Sequence, residues 1–231
     1  MPRKPRHTLV ASPVAPATAA PAAPSNAANE LGSRLRLARE GAEETVRGLA
    51  RRVGVSPSLV SQIELGRVQP SVGTLYAISN ELGISLDELF RGGDSAAPAP
   101  AREMTAAAAT GAGPVLHSRE RKAIRLSGGV RWERLTAATD EEVEFLNVVY
   151  DVGGASCAED ALIRHGGKEY AYLISGRLGF RIGFEEFELG PGDSISFDAQ
   201  MPHRLWTIGR EPAVAIWVII NRRGDSRKLA T

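Results

Sequence analysis

The sequence predicts two domains of different class, an all-α five-helix bundle followed by an all-β barrel. Three observations carry that expectation. Apolar residues recur at helical spacing through residues 31–90 and give way to short β-prone runs after Pro114. Hydroxyl caps and glycine stops punctuate the first region, whereas Gly, Pro and Asp clusters punctuate the second. Two stretches rich in Ala and Pro, at 1–29 and 92–113, set these regions apart.

Residues 1–29 hold three basic and no acidic residues, and six of the 14 prolines fall within the first 24 positions. Such a stretch buries too little apolar surface to offset its ordering entropy, so a disordered tail is expected. Arg3, Lys4 and Arg6 lie in it, as does His7, which has no partner at ligand spacing. The helical region spans 30–91. Leu31, Leu35 and Ala38 form the first apolar stripe, which stops at Gly41. Thr45 caps a helix whose inner face is Val46, Leu49, Ala50 and Val53, ended by Gly54. Ser56 and Pro57 open the next, with Leu59, Val60 and Ile63 inward and Gly66 at its end. Ser71 caps a fourth, striped by Leu75, Ile78 and Leu82, and Ser85 caps a last turn with Leu86, Leu89 and Phe90. Residues 92–113 read as a flexible linker. The β-region at 114–223 has β-prone runs at Val143–Tyr150, Tyr170–Ile174, Leu178–Ile182, Ser194–Phe197 and Ala213–Ile220. Residues 224–231 form a C-terminal tail.

Charge and composition exclude several classes. The 231 residues carry 28 Lys+Arg and 27 Asp+Glu, a formal net charge of +1, so the chain does not coat DNA or membranes by bulk charge. Residues 30–91 hold eight charges of each sign, so position must decide what they do. No apolar run reaches membrane-spanning length. The basic start lacks the apolar core of a secretory signal. A single cysteine, Cys157, excludes an intramolecular disulfide and a Cys-based zinc finger. A cytoplasmic protein is expected. Gly190-Pro191-Gly192-Asp193 lacks the Lys-Ser/Thr of a phosphate loop and reads as a turn.

The segment from Thr45 to Arg67 has the helix, short turn, helix layout that lets one helix cross a DNA backbone while the next enters the major groove. Leu49-Ala50, Gly54-Val55-Ser56, Val60-Ser61-Gln62-Ile63-Glu64 and Gly66 stand at the spacing of the Cro/cI-like (XRE) helix-turn-helix family, which this region resembles over residues 31–91. With Leu59, Val60 and Ile63 inward, Ser58, Ser61 and Gln62 remain on the outer face as base-reading candidates. Glutamine can pair with adenine in bidentate fashion. Thr45, Arg47, Arg51 and Arg67 are phosphate-contact candidates. The resemblance further implies an internal ion pair between Arg39 and Glu64.

Two later stretches resemble the cupin family, a double-stranded β-helix or jelly-roll barrel. His165-Gly166-Gly167-Lys168-Glu169-Tyr170 through Gly176 is similar to its first motif, and Gly190 to Phe197 followed by Pro202-His203 to its second. The family's first histidine position is Ile163 here, leaving His165, Glu169 and His203. Two histidines and a carboxylate can hold Fe, Mn, Zn or Ni as a facial triad. The same three can equally line a metal-free effector pocket. Alternation after Glu169 sends Ala171 and Leu173 inward and leaves Tyr170 and Tyr172 on the other face, suited equally to a subunit interface or to burial in the domain's own outer packing. Cys157 stands near the expected cavity mouth, and Trp132, Trp206 and Trp217 read as core or pocket wall.

Together these resemblances imply a one-component transcriptional regulator, not an enzyme and without catalytic residues. It would bind a double-stranded DNA operator as a homodimer and sense a small molecule through the cupin. The linker implies that coupling runs through dimer geometry. A second reading stays open, because helix-turn-helix plus cupin also resembles hydroxypropylphosphonate epoxidase. In that case His165, Glu169 and His203 would hold a mononuclear iron.

Overall fold

The computed structural model describes residues 26–90, 113–140 and 142–221. Residues 1–25 of the expected tail, 91–112 around the linker and 222–231 lie outside these, as do Arg3, Lys4, Arg6 and His7.

Helix α1 (Asn26–Gly41) starts inside the stretch read as tail. Alanine is the strongest helix former, and Ala27-Ala28 let the helix extend N-terminal to Leu31. Helices α2 (Val46–Val53), α3 (Pro57–Glu64), α4 (Val72–Leu82) and α5 (Leu86–Phe90) follow. Their starts are set locally. The hydroxyls of Thr45, Ser56 and Ser71 accept the backbone N–H of Gly48, Leu59 and Thr74, satisfying donors that have no partner within the helix. Ser85 and Glu88 cap α5 reciprocally, each accepting the other's backbone N–H. Gly54 and Gly83 stop α2 and α4 in the left-handed conformation, at φ 77° and 67°. Leu35, Leu49, Val60, Ile63, Leu75 and Ile78 close the helical core. Gly32 lets α1 lie directly on the end of α3, because a Cβ there would stand 2.3 Å from the Ile63 carbonyl oxygen.

The second domain is two antiparallel sheets. The larger has the order β1-β2-β3-β9-β4-β7 and the smaller β6-β5-β8. Five strands fall on the expected runs: β3 (Val143–Tyr150), β4 (Lys168–Ser175), β5 (Leu178–Ile182), β7 (Ser194–Asp198) and β9 (Ala213–Ile220). Four were not expected: β1 (Ala123–Leu126), β2 (Val130–Arg134), β6 (Glu185–Leu189) and β8 (His203–Thr207). Each interleaves charged or polar residues with apolar ones. In β2, for example, Val130 and Trp132 point inward while Arg131 and Glu133 lie at the surface. Bridges from Ala155 to Trp206 and from Ile163 to His203 bind the loop before β4 to the free edge of β8.

The two domains are in direct contact. Helix α4 carries two apolar stripes. Leu75 and Ile78 face the helical core, while Val72 and Tyr76, one turn apart, are buried against the barrel. The Ser127 N–H donates to the Pro70 carbonyl at 2.9 Å, and Tyr76 packs on Trp132 with ring centroids 5.4 Å apart. The core therefore runs from the bundle into the barrel.

Candidate functional site

Helix α3 leaves Ser58 exposed and Ser61 and Gln62 half-buried, with Val60 and Ile63 buried behind them. Thr45, Arg47, Arg51 and Arg67 are exposed. Thr45 spends its hydroxyl on the α2 cap. Among the described residues, Arg47, Arg51 and Arg67 make no ion pair, whereas Arg52 is held by Glu44 and Glu81. Arg39 and Glu64 meet in a bidentate pair, Nε to Oε1 at 2.6 Å and Nη2 to Oε2 at 2.9 Å. Arg39 also donates to the Glu44 carbonyl at 2.7 Å, so it ties α1 to α3 and to the start of α2. The hydrogen bond to Glu64 holds the Arg39 guanidinium above its ordinary range and outweighs the effect of burial.

Inside the barrel the structure brings His165, Glu169 and His203 together, with one donor atom of each within 4.8 Å of the others. Glu169 points inward because β4 alternates, and Trp217 on the adjacent β9 donates its Nε1–H to Glu169 Oε2 at 2.9 Å. His165 lies before β4, its backbone N–H bonded to the Ala199 carbonyl at 3.0 Å. His203 opens β8 and exchanges backbone bonds of 2.8 and 2.9 Å with Ile163. Each imidazole bonds a carbonyl through Nδ1, His165 to Gly166 at 3.0 Å and His203 to Met201 at 2.9 Å. A carbonyl only accepts, so in the neutral ring Nδ1 carries the proton and Nε2 keeps its lone pair.

Both Nε2 atoms are buried and make no hydrogen bond. They stand 2.7 Å (His165) and 3.7 Å (His203) from Glu169 Oε1, another acceptor. Burial holds the His203 imidazole below its ordinary range despite the opposing influence of Glu169, which keeps it neutral. Two lone pairs and a carboxylate oxygen converging in a buried interior are what a divalent cation stabilises. The backbone and Trp217 bonds are the outer support such ligands need. These residues therefore fit a metal ion. Ile163, with its aliphatic side chain against the same cavity, adds no fourth ligand.

The cavity above the triad has a volume of about 20 Å³, with Val72, Tyr76, Trp132, Tyr150 and Trp217 in its wall. That is room for one water or one ion. Burial, with the Glu169 carboxylate nearby, raises the Tyr150 phenol far above its usual range, so it stays protonated. Cys157 is half-buried, and its thiol donates to the Ala161 carbonyl at 3.2 Å. Trp206 lies outside the triad, beneath Arg204. His117 is exposed.

Family comparison separates the same two regions. The helix-turn-helix family matches residues 35–89 and the cupin domain family matches residues 148–219. The chain joins an XRE-type helix-turn-helix domain to a cupin domain. A helix-turn-helix family transcriptional regulator from Vibrio cholerae shares the fold, with 20% identity and a TM-score of 0.59 over 83% of this chain and 95% of that one. Hydroxypropylphosphonic acid epoxidase from S. wedmorenis aligns at 19% identity and a TM-score of 0.40, over 84% of this chain and 98% of that one. No curated protein matches the sequence.

Sequence reasoning missed the part of the cupin wall that comes from the helix-turn-helix domain. Val72 and Tyr76 stand at i and i+4 on a face of α4 adjoining the Leu75 and Ile78 stripe, and that second stripe was the available signal. The tie between Trp217 and Glu169 left no local signal, because the two are 48 positions apart.

Proposed function

We propose that the protein is a cytoplasmic, homodimeric transcription regulator that reads an operator through α3 and senses a ligand through its cupin cavity. The observation that carries this reading is the outer face of α3. Ser58, Ser61 and Gln62 are accessible on a capped helix, and the cations Arg47, Arg51 and Arg67, which have no ion-pair partner among the described residues, flank it. Short polar side chains there reach base edges, and the arginines neutralise phosphates. One such helix contacts few base pairs, so two copies spanning half-sites about 34 Å apart are required. The exposed Tyr170, Tyr172 and Ile174 on β4, beside Ile216 and Val218 of β9, supply an apolar face for that pairing. His165, Glu169 and His203 would hold a divalent cation such as Fe, Mn, Zn or Ni. When bound, that ion would supply an electrophilic centre for an effector.

Selection of binding sites from random duplexes tests the reading. The native chain is expected to enrich a two-fold sequence, and Gln62→Ala to lose the preference while keeping salt-sensitive binding. Unchanged preference in the variant would remove α3 from its role. The His-Glu-His triad favours a second reading, a mononuclear-iron oxygenase. The accessible outer face of α3, for which an oxygenase has no use, ranks this reading below the first. Stoichiometric iron with substrate-dependent oxygen uptake would reverse the order.

A further inference from the structure

We propose that Tyr76, a residue of the helix-turn-helix domain, is the size-selective gate of the cupin cavity. With α4 docked the cavity accepts a single ion, and an organic ligand enters only by displacing α4. The inference rests on the reading above that this cavity is a ligand site. It assigns a site residue to the DNA-binding domain and names the element a ligand must move.

Four observations place the gate. Tyr76 is 4% exposed, and its ring lies on that of His165, with centroids 4.0 Å apart and planes inclined by 25°. Stacking covers the face of the imidazole and leaves Nε2, in the ring plane, free for a cation. Val72, one turn earlier, lines the same cavity. Between them Gly73 seats the helix on Ile163, because a Cβ at Gly73 would come within 2.4 Å of the Ile163 Cγ2. The position that carries no metal ligand is thus the apolar seat on which α4 rests. The roughly 20 Å³ left beneath Tyr76 holds an ion or a water and nothing with a ring. Any such ligand has to swing Tyr76 out, and Tyr76 moves with the helix that braces the reading domain. Ligand size is thereby linked to the position of that domain.

A reversible lock tests this on the full chain. The Gly73 Cβ position lies 3.7 Å from the Ile163 Cβ, within the separation a disulfide spans. Gly73→Cys with Ile163→Cys, in a Cys157→Ala background, should therefore cross-link on mild oxidation. Co2+ is the probe ion, read by its visible absorption, and imidazole is the organic probe. Both forms should bind Co2+, the reduced one with the freed thiol at position 163 as an added ligand, while imidazole perturbs the Co2+ spectrum only after reduction. In the otherwise native chain, Tyr76→Ala should tighten imidazole binding by about tenfold or more, by raising the open fraction, and Tyr76→Phe should not. Equal imidazole affinity in locked and reduced forms would overturn the gate while leaving the metal site standing. Failure of the cross-link to form would show that α4 does not dock and would overturn it as well. If Co2+ does not bind the native chain, the ligand-site reading fails and takes the gate with it.

Discussion

The pair formed by Arg39 and Glu64 illustrates how a near-neutral chain distributes its charges. Both side chains are at most 10% exposed and joined by two hydrogen bonds, so neither charge is available to DNA. Removing one partner leaves the other charged and dry. Arg39→Ala should cost about 3–5 kcal/mol in urea unfolding, and a smaller loss would mean that water reaches Glu64. Trp217 plays the matching part in the cupin, because its indole N–H holds one oxygen of Glu169 and turns the other toward the histidines. Trp217→Phe should weaken Co2+ binding about 10–100-fold in calorimetric titration, and unaltered affinity would mean that the carboxylate needs no such support. Burial pushes the Cys157 thiol above its usual range, and the opposing bond from Ser156 and the nearby Arg204 do not cancel this. Near neutral pH it stays a thiol, so iodoacetamide should alkylate it more slowly than a free cysteine, with the rate rising as pH climbs past the ordinary thiol range. Rapid labelling at pH 7 would contradict this.

At the scale of elements, the arginines of α2 and of the turn after α3 differ in their partners. Arg52 is engaged by Glu44 and Glu81, while Arg51 and Arg67 make no ion pair among the described residues. Arg51→Ala and Arg67→Ala should each reduce the salt slope of DNA binding by about one, and Arg52→Ala should leave it nearly unchanged. An equal effect of all three would show that the pairs of Arg52 open on DNA. The helices were legible because their signals are local. A hydroxyl three residues before its target N–H and the glycines that stop α2 and α4 are written in nearby residues. Strands β1, β2 and β8 were not, since one side faces the barrel and the other carries charge, and β6 is acidic and exposed except at Leu189. Such short alternating runs become strands only when a neighbour supplies the ladder. The second apolar stripe of α4, Val72 and Tyr76, was visible in the sequence but had no identifiable target.

At the scale of the whole molecule, the shared core makes the two domains one thermodynamic unit. Tyr76 and Val72 are buried by the cupin, and Ile163 is covered by α4. Calorimetry of the native chain should therefore show one transition that Co2+ shifts upward as a whole, with Tyr76→Ala separating it into two. Two independent transitions in the native chain would mean that the docked contact contributes little.

The sequence by itself determined the two fold classes, the caps and stops of the bundle, the outward face of α3 and the identity of the triad. All of these are set by residue type and short-range spacing, including the two cupin motifs that carry His165, Glu169 and His203. Tertiary structure decided the rest. It closed the triad to within 4.8 Å, aimed both Nε2 atoms at one carboxylate oxygen and laid Tyr76 over His165. Tyr76 and His165 are 89 positions apart (165 − 76), and no local pattern records a contact between a helix and a barrel that meet only once both have folded.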